Sequence, residues 1–189
     1  SEGSALHLSV DTATKVRFVP SQDFNGDATF TFRAWDKTNE LSTGTTAAIA
    51  ATGGITPYSD VTDTAAIAVS PVNDAPVMDG ADSPMLPDVA EDATDPEGVA
   101  IATLLDGLIT DVDVNALQGL ALTAVDASNG TWEYSLNGGE AWSDVGVLST
   151  ENALLLSNDA MTRIRFVPNA EYNGEIDLSF QAWDRTDGT

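Results

Sequence analysis

The chain contains no cysteine, so a disulfide framework, a thiolate metal site and a cysteine nucleophile are all unavailable to it. Basic residues are scarce, 7 against 30 acidic ones, for a net charge of −23. Nucleic acid is a poor partner for such a chain, because binding it depends on Lys and Arg neutralising phosphates. Anionic membrane surfaces are disfavoured for the same reason. No apolar run reaches membrane-spanning length, so membrane insertion is not expected, and the lack of a signal-peptide pattern means nothing in a window that begins mid-repeat. Nucleophile-elbow, zinc-helix and phosphate-loop motifs are missing too. Carboxylate pairs of the kind used in glycoside hydrolysis can be picked from any chain with 30 acids and carry almost no signal.

What the chain does have is an internal repeat. Lys15-Val16-Arg17-Phe18-Val19-Pro20 returns as Arg163-Ile164-Arg165-Phe166-Val167-Pro168, 148 residues later. Asn25-Gly26 returns as Asn173-Gly174, and Ala34-Trp35-Asp36 as Ala182-Trp183-Asp184. Residues 1–41 and 149–189 align without a gap and share 18 identities, beyond what chance gives. A tandem array is implied, and arrays build reach or multivalency more often than active sites. The window is out of phase with the repeat. Residues 1–77 read as the second part of one unit plus a linker, and 78–189 as the first part of the next. Residues 1–41 and 149–189 therefore want the same place in the fold. The second unit has no version of Thr64–Val72 of its own; either it is incomplete in this stretch or a neighbouring chain supplies the strand.

The local patterns are β. Alternation runs through Val16–Val19, Ala28–Trp35, Ala65–Val69, Leu120–Val125 and Ile176–Trp183. Asn25-Gly26, Asn129-Gly130, Asn137-Gly138-Gly139 and Asn173-Gly174 mark turns. Thr131–Ser135 and Ala141–Val145 flank one of them as a hairpin. Only Gly98–Leu108 has room for a helical turn. Many short strands at regular spacing predict all-β, antiparallel sandwiches. The segment Ser70–Val77 carries Pro71 and Pro76 around a short polar step and reads as a stiff linker.

So acidic a chain repels itself when compact unless cations occupy its carboxylate clusters. Clustered at linkers and loop ends, the carboxylates read as calcium ligands, since hard cations want several oxygens each. The plainer reading is solvated acidic surface. Asp111 and Asp113, one residue apart, can turn both carboxylates towards one ion. Asn73 and Asp74 sit in the linker, where a local turn is the alternative. Glu91 and Asp92 fall in a loop or first strand. Asp36 and Asp184 hold corresponding places after a strand, where a strand-terminating turn is the alternative.

The order Val72-Asn73-Asp74-Ala75-Pro76, Glu91-Asp92, Asp111-Val112-Asp113, Arg165-Phe166-Val167-Pro168, Tyr172-Asn173-Gly174 and Ala182-Trp183-Asp184 resembles the cadherin-like, Ig-like tandem repeats of giant bacterial RTX adhesins. The resemblance covers essentially the whole chain. It departs from the family in the missing last part of the second unit and in lacking the glycine-rich nonapeptides of RTX tails. What it implies is a Greek-key β-sandwich in a secreted, type I-exported protein of the bacterial cell surface, acting in adhesion and biofilm. It also implies that Asp36, Asn73, Asp74, Glu91, Asp92, Asp111, Asp113 and Asp184 include the ligands of Ca2+ ions that stiffen linker and domain ends. Partners would be neighbouring repeats of the same chain, and a host or surface glycan or protein through other domains.

A second class is a ligand-recognition module. The Lys37–Asp63 segment is long for a loop and is read here as variable surface. Trp35 and Trp183 hold corresponding strand positions and are expected in cores, which leaves Trp132 and Trp142 as the tryptophans expected at the surface. His7, the only histidine, aligns with Leu155 and is expected in an apolar or surface position rather than in catalysis. An accessory domain of a secreted enzyme is the weakest class.

Overall fold

The computed structural model describes residues 3–80 and 83–186, so the outermost positions of the repeat match (1, 2 and 187–189) lie outside the described residues. The chain is all-β and divides between Val72 and Asn73 into two units.

Unit 1 carries β1 (Ala5–Leu6), β2 (Gly26–Phe32), β3 (Thr46–Ala47) and β4 (Asp63–Val69). β1 pairs antiparallel with β3, and β2 with β4 over its full length. Because side chains alternate along a strand, Ala28, Phe30 and Phe32 share one face of β2, and their cross-strand partners include Ile67 and Ala65 on the same face. This apolar face is uncovered: Phe30 is 50% exposed and Phe32 45%. Val16–Val19, expected as a strand, is irregular. Its repeat equivalent shows the cause. A strand persists only where its backbone N–H and C=O groups find a ladder, and the equivalent segment in unit 2, β12, is paired on both sides.

Unit 2 carries β5 (Val77–Met78), β6 (Val99–Ala100), the single turn α1 (Ile101–Leu104), β7 (Ile109–Thr110), β8 (Gly119–Val125), β9 (Gly130–Ser135), β10 (Ser143–Asp144), β11 (Leu154–Ser157), β12 (Arg163–Pro168) and β13 (Leu178–Trp183). One antiparallel sheet has the order β10-β9-β12-β6 and another β11-β8-β13, with β5–β7 as a separate pair. Val99, Trp132, Ile164 and Phe166 from the first sheet meet Leu120, Leu122 and Leu156 from the second in one buried cluster. Two sheets facing one core make unit 2 a sandwich. Ile101, Leu104 and Leu105 of the α1 turn add to it, in the stretch where the sequence leaves room for one helical turn.

Two expectations about aromatic side chains are corrected. Trp132 is not at the surface but 4% exposed, because its face of β9 packs against the second sheet, and its indole N–H donates to the carbonyl of Asp126 at 2.8 Å. Gly130 on the same strand has no Cβ because the ring of Phe166 occupies that space. Trp142 is half-buried, with the guanidinium of Arg165 4.0 Å above its ring. That guanidinium also donates to Glu133 Oε2 and Asp95 Oδ1, both at 2.6 Å, so the charge is paired although Arg165 is buried.

Candidate metal centre

The pairing of β5 with β7, Val77 opposite Thr110 and Met78 opposite Ile109, lays the residues before β5 alongside those after β7. Asp111 and Asp113 follow β7 in a tight local turn, in which the N–H of Asp113 donates to Asp111 Oδ1 at 2.8 Å. The N–H of Asp74 donates in turn to Asp113 Oδ2 at 2.8 Å. One residue earlier, Asn73 Nδ2 donates to Asp184 Oδ2 at 2.6 Å, across 111 residues of chain. Asp184 Oδ1 accepts from the N–H and hydroxyl of Thr186 at 3.0 and 2.8 Å. The Asn73 amide first, and Thr186 after it, hold the Asp184 carboxyl below the usual aspartate range.

Asn73, Asp74, Asp111, Asp113 and Asp184 are thus gathered at the start of unit 2. Of the other sequence candidates, Asp36 lies in unit 1, where its Oδ1 accepts from the N–H and hydroxyl of Thr38 at 2.9 and 2.7 Å. This is the same turn as at Asp184, one repeat earlier. Asp92 accepts from the N–H of Glu171, on the connection between β12 and β13. Asp184 follows the other end of β13, roughly 17 Å along a six-residue strand. Asp92 and its exposed neighbour Glu91 therefore stand apart from the cluster.

Among the described residues, no three His, Cys, Asp or Glu side chains come together as a ready ligand set. The donors at the start of unit 2 are nevertheless all oxygens or an amide, the chemistry that suits a hard cation rather than zinc or copper. One atom in particular fits such an ion. Asp111 Oδ2 is buried and has no hydrogen-bond partner, while Oδ1 of the same carboxylate is engaged. A buried carboxylate oxygen without a donor costs free energy that a bound cation offsets.

Sequence reasoning missed a second feature, in unit 1. Trp35 and Tyr58 form an isolated β-bridge that folds the Lys37–Asp63 segment back, with β3 inside it. His7, buried rather than superficial, is bonded through Nδ1 to the carbonyl of Thr45 at 3.1 Å and through Nε2 to the hydroxyl of Tyr58 at 2.8 Å. A carbonyl only accepts, so Nδ1 carries a proton. Asn39 donates to the same hydroxyl and accepts from the indole N–H of Trp35. Beside this network lies an open groove of about 380 Å³, bordered by Trp35, Asp36, Gly53, Gly54, Pro57 and Tyr58. The spacing Trp35-x-x-x-Asn39 is the only trace of it in the sequence.

No helix among the described residues is long and apolar enough to cross a membrane. No protein-family model, no curated protein and no solved structure matches this chain.

Proposed function

We propose that this chain is a non-catalytic, calcium-binding extender module of a bacterial surface adhesin, secreted by a type I system. The observation that carries the reading is the cluster of Asn73, Asp74, Asp111, Asp113 and Asp184, with the buried, unpartnered Oδ2 of Asp111 inside it. The tandem repeat supports a spacer, and the commitment of the single histidine to two structural bonds supports a non-catalytic role. Asp111 and Asp113 would hold the ion, with Asp74, Asn73 and Asp184 completing the oxygen set. When bound, calcium supplies a fixed charge that cancels part of the carboxylate repulsion and locks the segment leading into β5 against the turn after β7. Neighbouring repeats are the partners of such a module, and adhesion to a glycan or protein belongs to other domains.

Extracellular calcium modules bind with Kd of roughly 10⁻⁴–10⁻³ M. At about a hundredfold excess over Kd, one site stabilises the folded state by about 2.7 kcal/mol. For a unit of this size that raises Tm by on the order of 10 °C. Thermal unfolding of the chain in calcium, in magnesium and in excess EDTA tests the reading. A rise specific to calcium supports it, and identical melts in all three overturn it.

The groove beside Trp35 and Tyr58 favours a second reading, a module that recognises a glycan or protein. Lys37 lies 5.8 Å from the centre of the Trp35 ring and His7 packs edge-on against it, so this indole offers a sugar less free face than a recognition platform needs. Glycan-array binding lost in Trp35→Ala would favour this reading over the spacer.

A further inference from the structure

The Asn-Gly pairs at 25–26, 129–130, 137–138 and 173–174 all mark turns, yet the fold leaves them in different surroundings. Such a pair is chemically reactive as well as turn-forming. The glycine N–H gives up its proton and the nitrogen attacks the asparagine Cγ. A new C–N bond closes a five-membered succinimide, and the side-chain amide leaves as ammonia. Water then opens the ring at either carbonyl, to aspartate or to isoaspartate, whose backbone runs through the side chain. Glycine favours the closure because it has no Cβ to hinder the ring. The fold sets two further conditions: a glycine N–H not tied to a carbonyl, and an asparagine side chain free to turn towards it.

Asn137-Gly138 meets neither. The Gly138 N–H donates to the carbonyl of Met161 at 2.8 Å. Asn137 Oδ1 accepts from the Ala141 N–H at 3.0 Å and from the Ser135 hydroxyl at 2.8 Å, and Ser135 is itself buried. Asn129-Gly130 is held by its sheet. Gly130 opens β9 against the Phe166 ring, and the Asn129 carbonyl accepts from the Asn169 N–H at 2.9 Å. The half-buried Asn129 side chain donates to the Ser128 hydroxyl at 3.1 Å.

Asn173-Gly174 meets both conditions. The two residues are exposed on the β12–β13 connection, and neither the Asn173 side chain nor the Gly174 N–H has a hydrogen bond among the described residues. Tyr172 builds the turn around them: its N–H donates to the Asn169 carbonyl at 3.1 Å and its hydroxyl to the Glu175 carbonyl at 2.9 Å. The same turn recurs one repeat earlier. The Phe24 N–H donates to the Ser21 carbonyl at 3.2 Å, and the equivalent residues Asp23 and Glu171 have φ of 57° and 60°. Asn25 is exposed, and its amide makes a long contact of 3.4 Å with the Asp23 carbonyl.

We propose that Asn173 and Asn25, at this recurrent turn, are sites of spontaneous deamidation through a succinimide, and that the fold shields Asn137 and Asn129 from the same reaction. Water is the co-reactant, so no partner enzyme is needed. A shielded pair reacts only while its hydrogen bonds are open, so its rate falls with the free energy of local opening. At Asn173 the product adds a negative charge beside the exposed Glu171 and Glu175. Isoaspartate also inserts a methylene into the backbone, within the span that the Tyr172–Glu175 bond closes. This chemistry is independent of the calcium reading.

Prolonged incubation of the chain at mildly alkaline pH, with peptide mass mapping and isoaspartate detection at each pair, tests it. Asn173 and Asn25 should convert several-fold faster than Asn137 and Asn129. In concentrated urea the four rates should converge, because the fold no longer separates them. Ser135→Ala removes the hydroxyl that holds Asn137 and should speed conversion there while leaving Asn173 unchanged. Asn173→Gln, whose longer side chain needs a six-membered ring, should lose the product at that position alone. Conversion of Asn137 or Asn129 as fast as Asn173 in the folded chain overturns the proposal. So does an Asn173 that survives in the folded chain and converts in urea. The folded and urea-unfolded unmutated chains decide this even where Ser135→Ala does not fold.

Discussion

Asp11 and Asp159, one repeat apart, close the same turn with the same geometry. Asp11 Oδ1 accepts from the N–H groups of Ala13 and Thr14 at 2.9 and 2.6 Å, and Asp159 Oδ1 from those of Met161 and Thr162 at 2.9 and 2.6 Å. In unit 2 this turn leads from β11 into β12; in unit 1 it precedes a segment that forms no strand. The turn is therefore a local product of sequence that forms whether or not the following residues find a sheet.

Both carboxyls are held below their usual value, which gives a pH prediction. At Asp11 the N–H of Thr14 is the main cause. At Asp159 burial pushes the other way, and is outweighed first by the N–H of Thr162. A depressed folded-state pKa contributes stability that is fully present above the ordinary aspartate value near 4 and is lost as pH falls through the lower folded value. Asp159→Asn keeps the acceptor oxygen and removes the charge. We expect it to cost less than about 1 kcal/mol at neutral pH, the screened difference between a charged and a neutral acceptor. In urea unfolding of the two proteins side by side, that difference should begin to shrink near pH 4 and vanish only below the lower folded-state value. A difference that persists on acidification would show that charge is not what holds the turn.

Phe166 and Phe18 make a matched pair for core energetics. Phe166 packs against Trp132 and Tyr172, with ring centroids 5.2 and 6.5 Å away, while Phe18 has one ring contact, with Phe24, and is 43% exposed. Phe166→Ala should destabilise unit 2 by about 3–5 kcal/mol. Phe18→Ala, an identical change at the equivalent position, should stay within about 0.5 kcal/mol. Equal costs would mean that unit 1 has a core of its own.

The contrast between the two copies also shows what a sequence can and cannot convey. Alternation locates β2, β4, β8 and β13, because each carries its own period-two pattern, while β9 is located by its hairpin turn and β12 by its repeat match to Lys15–Pro20. It puts a strand at Val16–Val19 as well, since pattern reports a preference and not the partner that satisfies it. Trp132 escapes the sequence for a similar reason: a hairpin tryptophan looks superficial until the second sheet is known to lie over it. The sequence singles out Asp111-x-Asp113 and Asn73-Asp74 as separate candidates, and the structure brings them together through the bond from the Asp74 N–H to Asp113. The Asn73–Asp184 bond is not legible, because it depends on where the last strand ends relative to the first residues of the unit. Likewise Glu91 and Asp92 look equivalent to the others until β13 puts its length between them and Asp184.

Arg165 tests how a charge is kept in a nearly dry place. Burial works against its charge, and hydrogen bonds to Asp95 and Glu133 outweigh that effect. Removing it leaves Glu133, largely covered, without its cation, and strips the cover from Trp142. Arg165→Ala should cost about 3 kcal/mol, at the lower end for a broken buried pair because Asp95 is mostly exposed. Arg17→Ala, its exposed repeat equivalent, should be near neutral. Chemical unfolding of both variants decides it, and a near-neutral Arg165→Ala would mean that the ion pairs only offset their own desolvation.

The calcium reading makes a sharper demand on individual residues than on the whole chain. Asp111→Asn replaces the unpartnered Oδ2 with an amide or leaves a neutral oxygen there. In the absence of metal it should be neutral or slightly stabilising, because the charge on a carboxylate whose buried Oδ2 has no donor is removed while Oδ1 can still accept from the Asp113 N–H. In saturating calcium the same variant should lose most of the rise in Tm, since the carboxylate contributes charge as well as an oxygen. Asp92→Asn, on the β12–β13 connection, should keep the calcium response whole. The two variants measured with and without calcium therefore form a cycle. A response lost in Asp111→Asn and kept in Asp92→Asn places the ion at the start of unit 2. A response kept in Asp111→Asn and lost in Asp92→Asn moves it to the other end of β13 and removes Asn73, Asp74 and Asp184 from its ligands.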